Sequence, residues 1–113
     1  EIGDQGMKAF SAAIASGALG SLRALALETN QIGDAGLTAL AKAVRSGALA
    51  KCDYLNLSSN SIGDAGLTAF ATALRSGALP NLDELRLDFN NNATEAGNEQ
   101  IQEVAEARGF SLV

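Results

Sequence analysis

Residues 55–67 read Leu55-Asn56-Leu57-Ser58-Ser59-Asn60-Ser61-Ile62-Gly63-Asp64-Ala65-Gly66-Leu67. The same pattern stands thirty residues earlier, at residues 25–37, and a third copy starts at Leu85 and becomes irregular after Asn90. Self-similarity at a fixed period of this length is typical of a solenoid, in which similar units stack side by side. We therefore predict a single domain over residues 1–113, composed of repeats 1–30, 31–60 and 61–90 and a C-terminal capping segment, 91–113.

One half of each repeat has the period of a helix. In the second repeat, apolar residues recur at the i, i+3, i+4 and i+7 positions, which predicts an amphipathic helix with one buried face: Leu37, Leu40, Ala41 and Val44. We expect Asp34 to be the N-cap of this helix and Gly47 to end it. The same two residue types stand in register in the other repeats, as Asp4 with Gly17 and Asp64 with Gly77.

The other half of each repeat has the period of a strand. Leu55 and Leu57 alternate with polar residues, which predicts a short, half-buried strand. A single strand and helix cannot bury their apolar faces alone, but stacked repeats can. We expect a curved solenoid with parallel strands on the concave face and the bulkier helices on the convex face. The asparagines that follow the strands are predicted to form a hydrogen-bonded ladder along the stack: Asn30, Asn60 and Asn90.

The full motif, from Cys52 to Gly66, has the form Leu-x-x-Leu-x-Leu-x-x-Asn-x-Ile-Gly-Asp-x-Gly, with cysteine in the first leucine position. It resembles the leucine-rich repeats of the ribonuclease-inhibitor-like subfamily, which includes the repeat arrays of NOD-like receptors and the Ran GTPase-activating protein. The resemblance covers residues 1–90 closely and the tail loosely. It implies an α/β leucine-rich-repeat solenoid that recognises other proteins.

Composition excludes several functions. The net charge is −5 and the basic residues are scattered, whereas a nucleic-acid-binding protein needs a clustered positive surface. No apolar run approaches the roughly 18–20 residues that span a bilayer, so we expect no membrane partner. Cys52 is the only cysteine, which excludes an intrachain disulfide and favours a reducing, cytoplasmic setting. The chain has no histidine, the commonest general base and metal ligand.

The Gly-Asp-x-Gly motif has two alternative interpretations. Glycines before a helix can bind a phosphate group, and repeated aspartates can bind metal ions. The motif lacks the Gly-Lys-Ser/Thr ending of a phosphate-binding loop. Its aspartates, such as Asp34 and Asp64, stand a full repeat apart with no second ligand converging on them. We therefore predict no catalytic residue, no cofactor site and no metal site, and interpret the chain as a non-enzyme.

The two ends of the chain differ in character. The sequence begins at a repeat boundary, with Glu1 in the register of Gln31 and Ser61, and without a polar capping segment. This favours a piece of a longer array, with an engineered consensus-like protein as the alternative. Core residues of the first repeat are expected to be exposed at that end and to allow self-association: Ile2, Met7 and Phe10. The charged helix predicted over residues 95–108 and an edge strand after it would cap the other end.

Positions on the predicted concave face vary from repeat to repeat, whereas the core positions hardly change. We predict that a protein partner binds there, and the acidity of the chain favours a basic one. The candidate binding residues are Glu28, Tyr54, Asn56, Ser58, Glu84, Arg86, Asp88 and Phe89. Two alternatives to a binding module or scaffold stay open, a regulator of a small GTPase and an architectural array without a ligand.

Overall fold

The computed structural model describes residues 2–113, so the predicted register of Glu1 lies outside the described residues. Helices and short strands alternate along the chain. In order they are α1 (Gly3–Ala15), β1 (Ala24–Ala26), α2 (Asp34–Arg45), β2 (Tyr54–Asn56), α3 (Asp64–Arg75), β3 (Glu84–Arg86), α4 (Glu95–Arg108) and β4 (Ser111–Leu112).

The strands form one parallel sheet in the order β1-β2-β3-β4. The central residue of each strand stands in a single row across the sheet: Leu25, Leu55, Leu85 and Leu112. The first three of these leucines are buried and the fourth packs partly against the core. Because side chains alternate between the two faces of a strand, the flanking residues lie on the other face, away from the helices.

The helices pack on the leucine side of the sheet, each against its sequence neighbours. The predicted core face of α2 is confirmed, since all four of its residues are buried: Leu37, Leu40, Ala41 and Val44. A stack of helices on one side and a parallel sheet on the other is an α/β leucine-rich-repeat solenoid, with strands on the concave face and helices on the convex one. The predicted fold class is therefore confirmed.

Glycine ends the first three helices as predicted. Gly47 follows α2 with a φ of 103°, and Gly77 follows α3 with a φ of 99°. Side chains disfavour this left-handed conformation, whereas glycine adopts it freely.

The predicted role of the aspartates is wrong in one respect. Asp34 is the first residue of α2 rather than its N-cap. The N-cap residue is Gly33, and no side-chain capping hydrogen bond is made from this position. Instead, Oδ1 of Asp34 accepts hydrogen bonds from the amides of Gly63 and Gly66, both at 2.8 Å, at the start of α3. Each aspartate therefore caps the helix of the following repeat, and Asp4 does the same for Gly33 and Gly36.

The predicted asparagine ladder is present. Oδ1 of Asn60 accepts hydrogen bonds from the amides of Asn30 and Ile32, at 2.9 and 3.0 Å. Its Nδ2 donates to backbone carbonyls of both its own and the preceding repeat: Leu27, Leu57 and Ser58. Asn60 thus satisfies five backbone groups that the strand-to-helix turns would otherwise leave unpaired.

The tail folds as the sequence predicts, with α4 spanning Glu95–Arg108 and β4 added in parallel to β3. The inward residues of α4 are buried: Ile101, Val104 and Ala105. Arg108 also stabilises the C-terminal capping segment. It donates hydrogen bonds to three backbone carbonyls at the end of α3 and in the loop after it: Leu74, Ala78 and Leu79.

The expectation that the first repeat exposes its core is wrong for Met7, which is 0% exposed. Met7 lies on the side of α1 that packs against α2, next to Gly36, so the second repeat covers it. Phe10 is partly buried, and Ile2 is exposed.

Candidate protein-binding face

The concave face is the side of the sheet opposite the helices. Of the eight predicted binding residues, four lie in the strands, Tyr54, Asn56, Glu84 and Arg86, and four lie just beyond a strand, Glu28, Ser58, Asp88 and Phe89. The first row across this face contains Ala24, Tyr54 and Glu84, and the third contains Ala26, Asn56 and Arg86. The side chains therefore change from small and apolar at β1 to large and charged at β3.

Arg86 and Asp88 form an ion pair at the charged end of this face. Nη2 of Arg86 lies 3.5 Å from Oδ2 of Asp88, and the two side chains are 37% and 25% exposed. The hydrogen bond and charge of Asp88 raise the pKa of Arg86. Nε of Arg86 and Oδ1 of Asp88 have no hydrogen-bond partner among residues 2–113. The pair thus leaves one donor and one acceptor unused.

Asn56 and Ser58 contact each other rather than solvent. Oδ1 of Asn56 accepts from both the amide and the hydroxyl of Ser58, at 3.0 and 2.7 Å. Each residue is only 8% exposed. The expectation that these two are accessible to a partner is therefore not met, because their mutual hydrogen bonds fold the short side chains onto the sheet.

Phe89 is the most accessible large apolar residue of the face, with 72% of its surface exposed. Its φ of 62° places it in the left-handed region, as with Thr29 and Ser59 at the same position of the earlier repeats. An aromatic residue in this conformation and without cover is unfavourable for stability alone. Glu28 is likewise exposed, while Tyr54 and Glu84 are half-buried.

Further charges lie at the start of the strands, outside the positions predicted from the sequence to bind a partner. Nη1 of Arg23 lies 3.7 Å from Oδ2 of Asp53. Asp83 is exposed in the equivalent position of the third repeat. The thirty-residue register of these three variable positions is the sequence signal that would have identified them. With them, carboxylates on and around the concave face outnumber guanidinium groups.

Cys52 is buried in the core, and its thiol donates to the carbonyl of Tyr54 over 3.3 Å. Burial raises the pKa of this thiol, which keeps it protonated at neutral pH and weakly nucleophilic. Among residues 2–113, no group of three or more acidic, histidine or cysteine side chains is placed to hold a metal ion. Over the same residues, no helix has the length and apolar character needed to cross a membrane.

A model of the leucine-rich repeat family matches residues 21–41 and 54–71. The first match covers β1 and most of α2, and the second covers β2 and most of α3. No curated protein matches the sequence significantly. The two matches and the architecture together support a leucine-rich repeat protein. Leucine-rich repeats generally act as protein-interaction modules and are typically not enzymes.

Proposed function

We propose that this protein is an interaction module that binds a protein partner through the concave face and its adjoining loops. The observation that carries the proposal is the contrast between two neighbouring rows of the sheet. The core row repeats leucine at every step, whereas the row beside it changes from Ala24 to Tyr54 to Glu84. A surface with a purely structural role has no need for such differences.

The chemistry of this face is that of an interface. Aromatic and arginine side chains commonly supply most of the binding energy at protein interfaces. Phe89 offers an exposed ring, and the half-buried Tyr54 lies two rows from the pair formed by Asn56 and Arg86. The unused donor and acceptor of Arg86 and Asp88 would be satisfied by a polar group of the partner that reorganises the pair.

The excess of carboxylates favours a partner that is basic where it meets this face, because complementary charge accelerates association and selects against acidic proteins. The ribonuclease-inhibitor-like subfamily and a cytoplasmic location form part of the same proposal, supported by the Leu-x-x-Asn-x-Ile-Gly-Asp motif and the single buried thiol. Self-association through the face formed by the first repeat is a further element, supported by the exposure of Ile2 before α1 and of Leu19 after it.

The proposal is tested by affinity capture from a lysate of the source organism with three forms of the protein. The test variant combines Tyr54→Ala with Arg86→Glu. The matched control combines Thr38→Ala with Arg45→Glu on the exposed convex surface. We expect a protein that wild type and control retain and that the test variant loses. Equal retention by all three forms would contradict binding through the concave face.

A further inference from the structure

An open groove of about 250 Å³ lies on the convex side of the solenoid, between the neighbouring helices α1 and α2. Four alanines form much of its surface, and the polar side chains that line it are Lys8, Ser11, Lys42 and Ser46. None of the residues that line it is acidic. The groove lies on the opposite side of the molecule from the concave face.

The hydroxyl of Ser11 is buried in this groove without a hydrogen bond. Ser11 is only 4% exposed, and its Oγ has no hydrogen-bond partner among residues 2–113. On the opposite wall, Oγ of Ser46 donates to the carbonyl of Ala43 at 2.6 Å. A buried hydroxyl without a partner is costly. A ligand that brings an acceptor into the groove would remove that cost.

The α1 wall of the groove differs from the same positions of the next two repeats. The three differences are Lys8 in place of Thr38 and Thr68, Ser11 in place of Ala41 and Ala71, and Ala15 in place of Arg45 and Arg75. The first two add a polar group, and the third removes a long side chain. Arg75 shows the effect of such a side chain, since its Nη2 reaches to 3.8 Å from Glu103 on the following helix. Alanine at this position keeps the groove between α1 and α2 open.

The charge of the groove is positive in a protein whose net charge is −5. Lys8 and Lys42 are exposed on its opposite walls. Neither lysine forms an ion pair in the part of the chain that the structure describes. Complementary charge therefore favours an anionic ligand here.

The positions of the two lysines indicate the spacing of the anionic groups. Helices α1 and α2 each precede a strand of the parallel sheet, and the thirty-residue register places Lys42 beside Ala12, four residues after Lys8. Four residues of a helix correspond to about 6 Å along its axis. Glutamates four residues apart on a partner helix have the same offset and lie on one face of it. The alanines allow such a helix to approach closely.

We propose that the groove between α1 and α2 binds a helix of a partner protein that carries two glutamates four residues apart. One carboxylate pairs with Lys8 and the other with Lys42, and one of the two also accepts a hydrogen bond from the hydroxyl of Ser11. Docking of a helix in a groove is specified by side chains one turn apart. This convex site is a second interaction surface, independent of the concave face.

The test uses the 113-residue protein labelled with ¹⁵N and a capped, hydrocarbon-stapled alanine helix of fifteen residues, with glutamate at its sixth and tenth positions. We expect saturable chemical-shift changes that are largest at the amides of Ser11, Ala12 and Ala43. The same peptide with glutamine at both positions should bind at least about tenfold more weakly, because charge-assisted hydrogen bonds are lost.

Two variants of α1 make the result specific to the groove. Ser11→Ala and Lys8→Thr each introduce the residue that the second repeat has at the same position, so α1 should still fold. Each should weaken binding of the glutamate peptide at least about tenfold, since a partner of a carboxylate is removed. Lys51→Thr is the matched control, because it removes the same charge from an exposed position outside the groove and should leave the affinity unchanged.

Three results would overturn the proposal: no saturation at millimolar peptide, equal affinity for the glutamate and glutamine peptides, or an unchanged affinity in Ser11→Ala. The last of these would show a general attraction to lysine in place of a site. None of the variants alters Tyr54 or Arg86, so failure here is distinct from failure of concave-face binding.

Discussion

Oδ1 of Asp34 accepts a hydrogen bond of 2.8 Å from the amide of Gly66, a residue thirty-two positions further along the chain. The bond joins the start of α2 to the start of α3. Gly66 is required there, because a Cβ at this position would lie 2.7 Å from the same carboxylate oxygen. From α2 onward, the N-terminus of each helix is therefore capped by an aspartate of the preceding repeat, which couples the folding of adjacent repeats.

We expect Asp34→Ala to destabilise the protein by about 0.5–2 kcal/mol, the usual cost of removing a helix cap. Asp34→Asn should cost less, because the amide oxygen still accepts a hydrogen bond. Urea unfolding followed by circular dichroism measures both. Asp83→Ala is the control, since this exposed side chain has no hydrogen bond within residues 2–113 and should stay within about 0.5 kcal/mol of wild type. An equal loss in Asp34→Ala and Asp83→Ala would contradict the capping role.

The carboxylate of Asp64 should titrate below its ordinary pKa of 3.8, chiefly because the side chain of Thr94 donates to Oδ2 at 2.6 Å. A lowered folded-state pKa means that the stability contributed by this carboxylate is complete above pH 3.8 and is lost as the pH falls through the folded value. Thr94→Val should raise the pKa of Asp64. Carboxyl ¹³C NMR titration measures it, with Thr38→Val as a control that leaves it unchanged. A pKa unaffected by Thr94→Val would refute this cause.

Asn60→Ala should be far more damaging than Asn30→Ala. Asn60 is buried and serves five backbone groups, and each group left unpaired costs about 1–3 kcal/mol. Asn30 has two exposed hydrogen bonds, to Ile2 and Glu28, and its loss should cost about 1 kcal/mol or less. Equilibrium unfolding in urea compares the two. Equal losses in the free energy of unfolding would show that the stabilisation by a ladder asparagine does not depend on its burial.

Thr29→Asn should stabilise the protein by about 1 kcal/mol. Thr29 has a φ of 59°, where a β-branched side chain is strained and asparagine is tolerated. Its side chain is exposed, so no packing is lost. Thr38→Asn, in the exposed surface of α2, is the matched control and should change the stability little, because both residues have similar helix propensity. A melting temperature lowered by Thr29→Asn would argue against strain at this turn.

The repeat pattern predicted the fold because its signals are local. Alternation at Leu55 and helical spacing from Leu37 to Val44 each identify an element, and the thirty-residue register stacks them. Even α4 was predicted with the bounds that the structure has. These features depend on which residues are apolar and how they are spaced, which a single sequence contains.

The remaining features depend on contacts between repeats. The sequence predicts that Asp34 caps its own helix, because it does not reveal that the amides at the start of α3 lie within hydrogen-bonding distance of this carboxylate. The burial of Met7 by the second repeat and the mutual hydrogen bonds of Asn56 and Ser58 could not be predicted from the sequence either, because both depend on the three-dimensional packing. For the candidate site, alternation could predict which residues lie on the concave face but not how exposed each one is.

Binding of the purified partner, once captured, tests the central claim most directly. Isothermal titration calorimetry would compare wild type, the Tyr54→Ala/Arg86→Glu variant and the convex control Thr38→Ala/Arg45→Glu. Loss of an aromatic or arginine anchor typically costs about 2 kcal/mol or more, which corresponds to roughly thirtyfold in Kd. We predict at least that loss for the concave-face variant and an unchanged Kd for the control. An unchanged Kd for the concave-face variant would contradict the account.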